Sequence, residues 1–140
     1  MRQKLVLLLA AAYLAAGCGG SEHGEFEKAL RRQYRMMDEF TVAVADASGP
    51  DEIVDALEKF QSEAVAGRER MLRLMAAHPA LADLEKATLP EEVKAELVRI
   101  EEATPRFVEA MLRVEREYGG DPEVRRALDE VGTALSTPAR

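Results

Sequence analysis

Apolar residues recur at alternating intervals of four and three through four separate segments of this chain. Phe26, Leu30, Gln33, Met37, Phe40, Val44 and Ala47 keep the alternation in the first segment, with Gln33 as its one polar member. Ile53, Leu57, Phe60, Ala64, Gly67, Met71, Leu74 and His78 keep it in the second. The third runs Val93, Leu97, Ile100, Thr104, Phe107, Met111, Val114, Tyr118, and the short last one Val124, Leu128, Val131, Leu135. A strand would alternate with period two, whereas a 4-3 alternation holds one seam on one side of a slightly supercoiled α-helix. Such seams leave water by packing on one another. The expected fold is therefore all-α, an antiparallel helical bundle of three long helices plus a shorter C-terminal helix. An elongated helical hairpin that completes its core in a homodimer is the alternative.

The punctuation between the stripes sets the helix bounds. Ser48-Gly49-Pro50 separates the first two and places Pro50 in a first turn, where its missing N–H costs nothing. Thr88-Leu89-Pro90-Glu91 has the spacing of a capping box, Thr88 at the cap and Glu91 three residues on. Gly119-Gly120-Asp121-Pro122 ends the third helix and caps the fourth through Asp121. Helices are predicted over 22–47, 50–77, 90–118 and 122–136, with a minor helix at 80–86 bridging the longer connection.

Each long stripe has one weak position: Gln33, Gly67 and Thr104. In an antiparallel bundle the three fall within roughly 6 Å of one level at 1.5 Å per residue. Pro105 removes a helical N–H and orphans the carbonyl of Glu101. The expectation is a buried polar layer, with the Gln33 amide bonding that carbonyl or the Thr104 hydroxyl and Gly67 making room. A layer of this kind sets register rather than adding stability. The alternative is that Pro105 breaks the helix and Thr104 is an N-cap.

Ahead of the stripes, residues 1–17 divide into a basic start (Arg2, Lys4), an apolar centre (Leu5 to Leu14) and a small-residue end (Ala15-Ala16-Gly17). That is the layout of a secretory signal peptide, and the run falls short of the ~20 residues a permanent span requires. Cys18, the chain's only cysteine, follows at once. It has no second cysteine to bridge to within the chain, no ordered base beside it, and no converging metal ligands. Leu14-Ala15-Ala16-Gly17-Cys18 resembles the lipobox of bacterial lipoproteins, although Ala15 stands where Leu is usual in that class. The resemblance covers the first 20 or so residues. It implies a diacylglycerol on the Cys18 sulfur, cleavage before Cys18, and a membrane partner through the lipid. Gly19 rather than Asp after the cysteine is similar to lipoproteins sorted to the outer membrane. The implied organisation is a signal peptide at 1–17, a lipidated flexible tether at 18–24 rich in Gly19, Gly20 and Gly24, and a helical-bundle domain at 25–137.

Composition excludes several functions. The net charge of −7 becomes more negative once Arg2 and Lys4 are removed, which argues against nucleic acid and against lying flat on anionic lipid. No Trp and 5% aromatic residues leave little for stacking on bases or gripping sugars. The methionines come from opposite ends of the expected bundle and read as core filling rather than soft metal ligands. His23 sits on the tether. His78 sits at a helix end before Pro79, where a cation complements the helix dipole. Neither has a Glu three positions earlier, so no di-iron pattern is present. Arg31-Arg32-Arg35 and Arg68-Arg70-Arg73 read as exposed helix charge, and Glu91-Glu92 and Glu101-Glu102 as solvated surface. No phosphate loop or nucleophile elbow occurs.

The sequence thus points to a non-enzymatic lipoprotein without cofactor or metal, held at the periplasmic face of the outer membrane. Its expected role is a protein-binding or assembly module with a protein partner in the envelope. Carriage of a hydrophobic ligand between the helices, and a self-associating structural role as a homo-oligomer, are the alternatives.

Overall fold

The computed structural model describes residues 20–79 and 89–137. The leader, Cys18 and the minor helix expected at 80–86 lie outside the described residues. Among those described, the chain forms four α-helices and no strand: α1 (Gly20–Asp46), α2 (Pro50–Ala77), α3 (Glu91–Tyr118) and α4 (Pro122–Ser136). They pack as a helical bundle. α1 lies against both α2 and α3, and α4 lies mainly against α2.

The helix ends follow local chemistry. Gly49 is extended before α2, and Pro50 opens the helix with Asp51 and Glu52 in its first turn, where acids complement the dipole. The Glu52 carboxylate also accepts from the Ser48 backbone N–H at 2.6 Å. Asp121 caps α4, its Oδ1 accepting from the N–H groups of Glu123 at 2.9 Å and Val124 at 3.2 Å. Arg125 donates back to the Gly119 carbonyl at 3.1 and 2.7 Å, which satisfies one acceptor left over at the end of α3.

Two expected boundaries shift. α1 starts at Gly20, so residues 20–24, read from their glycines as tether, are helical. Phe26 and Leu30 are buried just beyond, at 2% and 0% exposure. Packing of that seam outweighs the cost of about 1 kcal/mol that each helical glycine carries. At the other shifted end the cap of α3 is Pro90, not Thr88, and it makes no side-chain cap bond. The proline ring disfavours helical geometry at the residue before it. Leu89 is therefore non-helical and buried instead.

The core forms two clusters. The larger draws on all four helices and centres on Phe40, Phe60 and Phe107, with Val44, Ile53, Leu57, Val114, Val124 and Val131 around them. Its three rings lie 5.2 to 5.5 Å apart, centroid to centroid, in tilted pairs. That is the range in which aromatic pairs add about 0.5–1.5 kcal/mol beyond area burial. The smaller cluster joins Phe26, Ala29, Leu30, Met71, Leu89 and Val93. Met37 belongs to the first cluster and Met71 to the second, so these thioethers do not converge.

The seam of α3 is rotated from the expected one. Val93, Phe107 and Val114 are buried as read, but Glu96, Ala103 and Ala110 replace Leu97, Thr104 and Met111 in the buried set. Small side chains at 103 and 110 let α3 approach α1 closely, and the larger ones are carried to the flanks. α4 repeats the pattern, burying Val124, Ala127 and Val131 while Leu128 and Leu135 stand half-buried.

Candidate functional site

Between the two core clusters the buried apolar packing is interrupted, with the half-buried Ile100 touching both. Gln33 falls between Leu30 of one cluster and Met37 of the other, and Gly67 between Met71 and Ala64. Both are half-buried. The matching interruption on α3 is Glu96, which is 2% exposed and the one buried charged residue among those described. Thr104, expected to complete this layer, lies about two turns further along and donates its hydroxyl to the Ile100 carbonyl of its own helix at 2.7 Å. Its proton therefore serves α3 and is not donated to Gln33. Nor does Gly67 make room for a close approach, since a Cβ built there meets nothing within 4 Å.

Glu96 sits where three charges meet. Its Oε1 accepts from Arg31 Nε of α1 at 3.1 Å and from Arg99 Nη1, one turn on in α3, at 3.2 Å. Arg31 also donates through Nη2 to Glu27, one turn back in α1. The carboxylate is buried while both guanidinium groups stay about half exposed. Glu96 Oε2 is buried with no hydrogen-bond partner among the described residues. A buried carboxylate is tolerated only when paired, and arginine supplies that pairing without losing its own contact with water. Sequence reading passed over Glu96 because a charge beside an apolar stripe ordinarily faces solvent. The signal that marked it was the Arg three positions on.

A second arginine acts on backbone. Arg68 of α2, read as an exposed charge, is half-buried and donates through Nη1 to the carbonyls of Ala134 at 2.9 Å and Thr137 at 2.8 Å. These are acceptors at the C-terminus of α4 that the helix cannot satisfy itself. His78 closes α2, its backbone N–H donating to the Leu74 carbonyl at 3.0 Å. On the solvent side Lys59 donates to Glu39 at 2.8 Å and joins α2 to α1. That bond, with the Glu39 charge, raises the Lys59 pKa above its ordinary value.

The concavities are shallow. One is a surface groove of about 590 Å³ between α2 and α4, lined by Gln61, Arg125, Arg126, Asp129, Glu130 and Thr133 among others. No His, Cys, Asp or Glu group of three or more gathers as a metal site among the described residues. No described helix is long and apolar enough to cross a membrane. Among the described residues four large apolar side chains face water: Val42 on α1, Leu72 on α2, and Val98 and Val108 on α3. Cys18 lies outside the described residues, whereas Gln33 and Gly67 are placed as above. Compared with known protein families, with curated proteins and with solved structures, the chain matches none.

Proposed function

We propose that this chain is a bacterial lipoprotein, cut before Cys18, lipidated on its sulfur and held at the periplasmic face of the outer membrane. There it serves as a non-catalytic protein-binding or assembly module. The observation that carries the reading is the run Leu14-Ala15-Ala16-Gly17-Cys18 after a basic start and an apolar centre. Gly19 after the cysteine supports the outer membrane. Helix α1 begins at Gly20, two positions past Cys18, so the folded part would stand close to its anchor.

In this reading successive helices run antiparallel. Three-residue connections at 47–49 and 119–121 support that arrangement, as do the contacts of Phe40 with Phe60 and of Glu39 with Lys59. A binding role is supported by the apolar side chains left on the outer surface of α3, Val98 at 50% exposure and Val108 at 36%. A long helix carrying exposed apolar side chains offers contact points to a partner helix. Carriage of an apolar ligand between α2 and α3 is less well supported, because the Phe60 and Phe107 rings meet across that gap at 5.2 Å.

Cys18→Ser followed by cell fractionation tests the anchor. An unprocessed, membrane-bound precursor is the expected result, and unchanged processing would defeat the reading. Crosslinking in the native envelope then tests the role. One stoichiometric partner supports a binding module, crosslinks of the chain to itself alone favour a structural lipoprotein, and a co-purifying lipid favours a carrier.

A further inference from the structure

We infer that Arg31, Arg35 and Arg99 form a binding site for a phosphate group, held in shape from below by Glu96. Arg31 and Arg99 come from different helices and both bond one oxygen of a carboxylate that is 2% exposed. Two like charges are thereby fixed side by side at the surface, each about half open to water. Chance surface arginines point apart and roam. These two are pre-oriented, which lowers the ordering cost of receiving an anion.

The pairing leaves donors over. Arg31 directs Nε to Glu96 and Nη2 to Glu27, so Nη1 remains, and Arg99 directs only Nη1 to Glu96. Arg35 stands one turn beyond Arg31 on the same face of α1, exposed and with no ion pair among the described residues. Arg32 next to Arg31 is likewise exposed and without an ion pair among the described residues. Glu27 and Glu96 balance Arg31 and Arg99, and Arg32 and Arg35 add positive charge beside them, with the acids Asp38 and Glu102 one turn away. A guanidinium presents paired donors that match two oxygens of a phosphate, and several around one centre suit a tetrahedral dianion or a phosphodiester. A carboxylate ligand would offer one plane of oxygens and leave part of the set unused. The site lies in the N-terminal half of α1. Both a lipid headgroup phosphate and a free phosphate monoester fit its chemistry, and the inference stands whether or not Cys18 carries lipid.

The test uses the chain from residue 18 onward carrying Cys18→Ser, which keeps all four helices, titrated with inorganic phosphate against chloride at equal ionic strength, with the arginine Nε–H signals followed by NMR. The expected result is a saturable shift of Arg31 and Arg99 with phosphate and not with chloride. Arg35→Gln, which removes no contact the fold uses, should weaken that binding about tenfold with an unchanged melting temperature. Sedimentation with vesicles separates the sources. Retention on phosphatidylglycerol vesicles above that on phosphatidylcholine, lost in Arg35→Gln, identifies a headgroup site. Phosphate binding without that difference identifies a free phosphate ester. Absence of a saturable shift, or an Arg35→Gln protein that binds as the parent does, overturns the inference.

Discussion

Arg31 of α1 donates to Glu96 of α3 at 3.1 Å across 65 positions of sequence, tying an exposed guanidinium to a buried carboxylate. The pair lies where the two clusters of the core adjoin. Desolvating a carboxylate costs several kcal/mol, and its attraction to two arginines offsets that cost without a clear surplus. Glu96→Leu should therefore melt at the parent temperature or above it. Replacing both arginines, Arg31→Met with Arg99→Met, strands the carboxylate and should cost about 3–5 kcal/mol, a fall of roughly 10 °C or more. Thermal denaturation followed by circular dichroism reads both. A strongly destabilised Glu96→Leu would show that the ion pairs add net stability.

The ring of Phe40 meets both Phe60 and Phe107, at 5.2 and 5.5 Å, so it couples three helices at once. Phe40→Ala should cost about 3–5 kcal/mol, with the cavity term adding to the lost transfer energy. Urea titration measures it. A loss under 1.5 kcal/mol, well below that range, would mean that the neighbouring rings collapse into the space.

Gly67 interrupts the stripe of α2, yet an added methyl group meets nothing within 4 Å. Its backbone is helical. Gly67→Ala should then stabilise the protein by about 0.5–1 kcal/mol through the lost freedom of the unfolded chain. A decrease in the urea midpoint would instead reveal a close approach at this level.

The contrast between Gly67 and Glu96 marks what the amino-acid order made legible. Helix bounds followed from Ser48-Gly49-Pro50 and Gly119-Gly120-Asp121-Pro122, because caps and prolines act locally. Gln33 and Gly67, whose side chains depart from their stripes, stand half-buried between the two clusters. Thr104 was read as their partner because periodicity weighs side chains by size. Close helix contact instead selects small ones, so Ala103 and Ala110 turned α3 and brought Glu96 inward. A pairing between residues 31 and 96 depends on how two helices meet, and spacing within either helix does not encode it. Gly20 and Gly24 read as tether because local preference weighs each glycine alone and cannot foresee that the helix of the buried Phe26 and Leu30 extends back through them.

Lys59 and Glu39 supply a pH signature. The hydrogen bond to Glu39, its charge and that of Glu63 raise the Lys59 pKa above 10.5 in the folded protein. The pair's contribution is therefore complete below that ordinary value and is lost as pH rises through the higher folded one. Because the pair is exposed, the effect is small. Lys59→Met should melt slightly below the parent near pH 7, with the gap closing above about pH 10.5. A gap that widens with rising pH would reverse the assignment.

The mass of the N-terminal peptide of the protein extracted from its native envelope tests the central claim most directly. The account predicts a chain that starts at Cys18 and carries a diacylglycerol on the sulfur. A chain that starts elsewhere, or a Cys18 with a bare thiol, would contradict it.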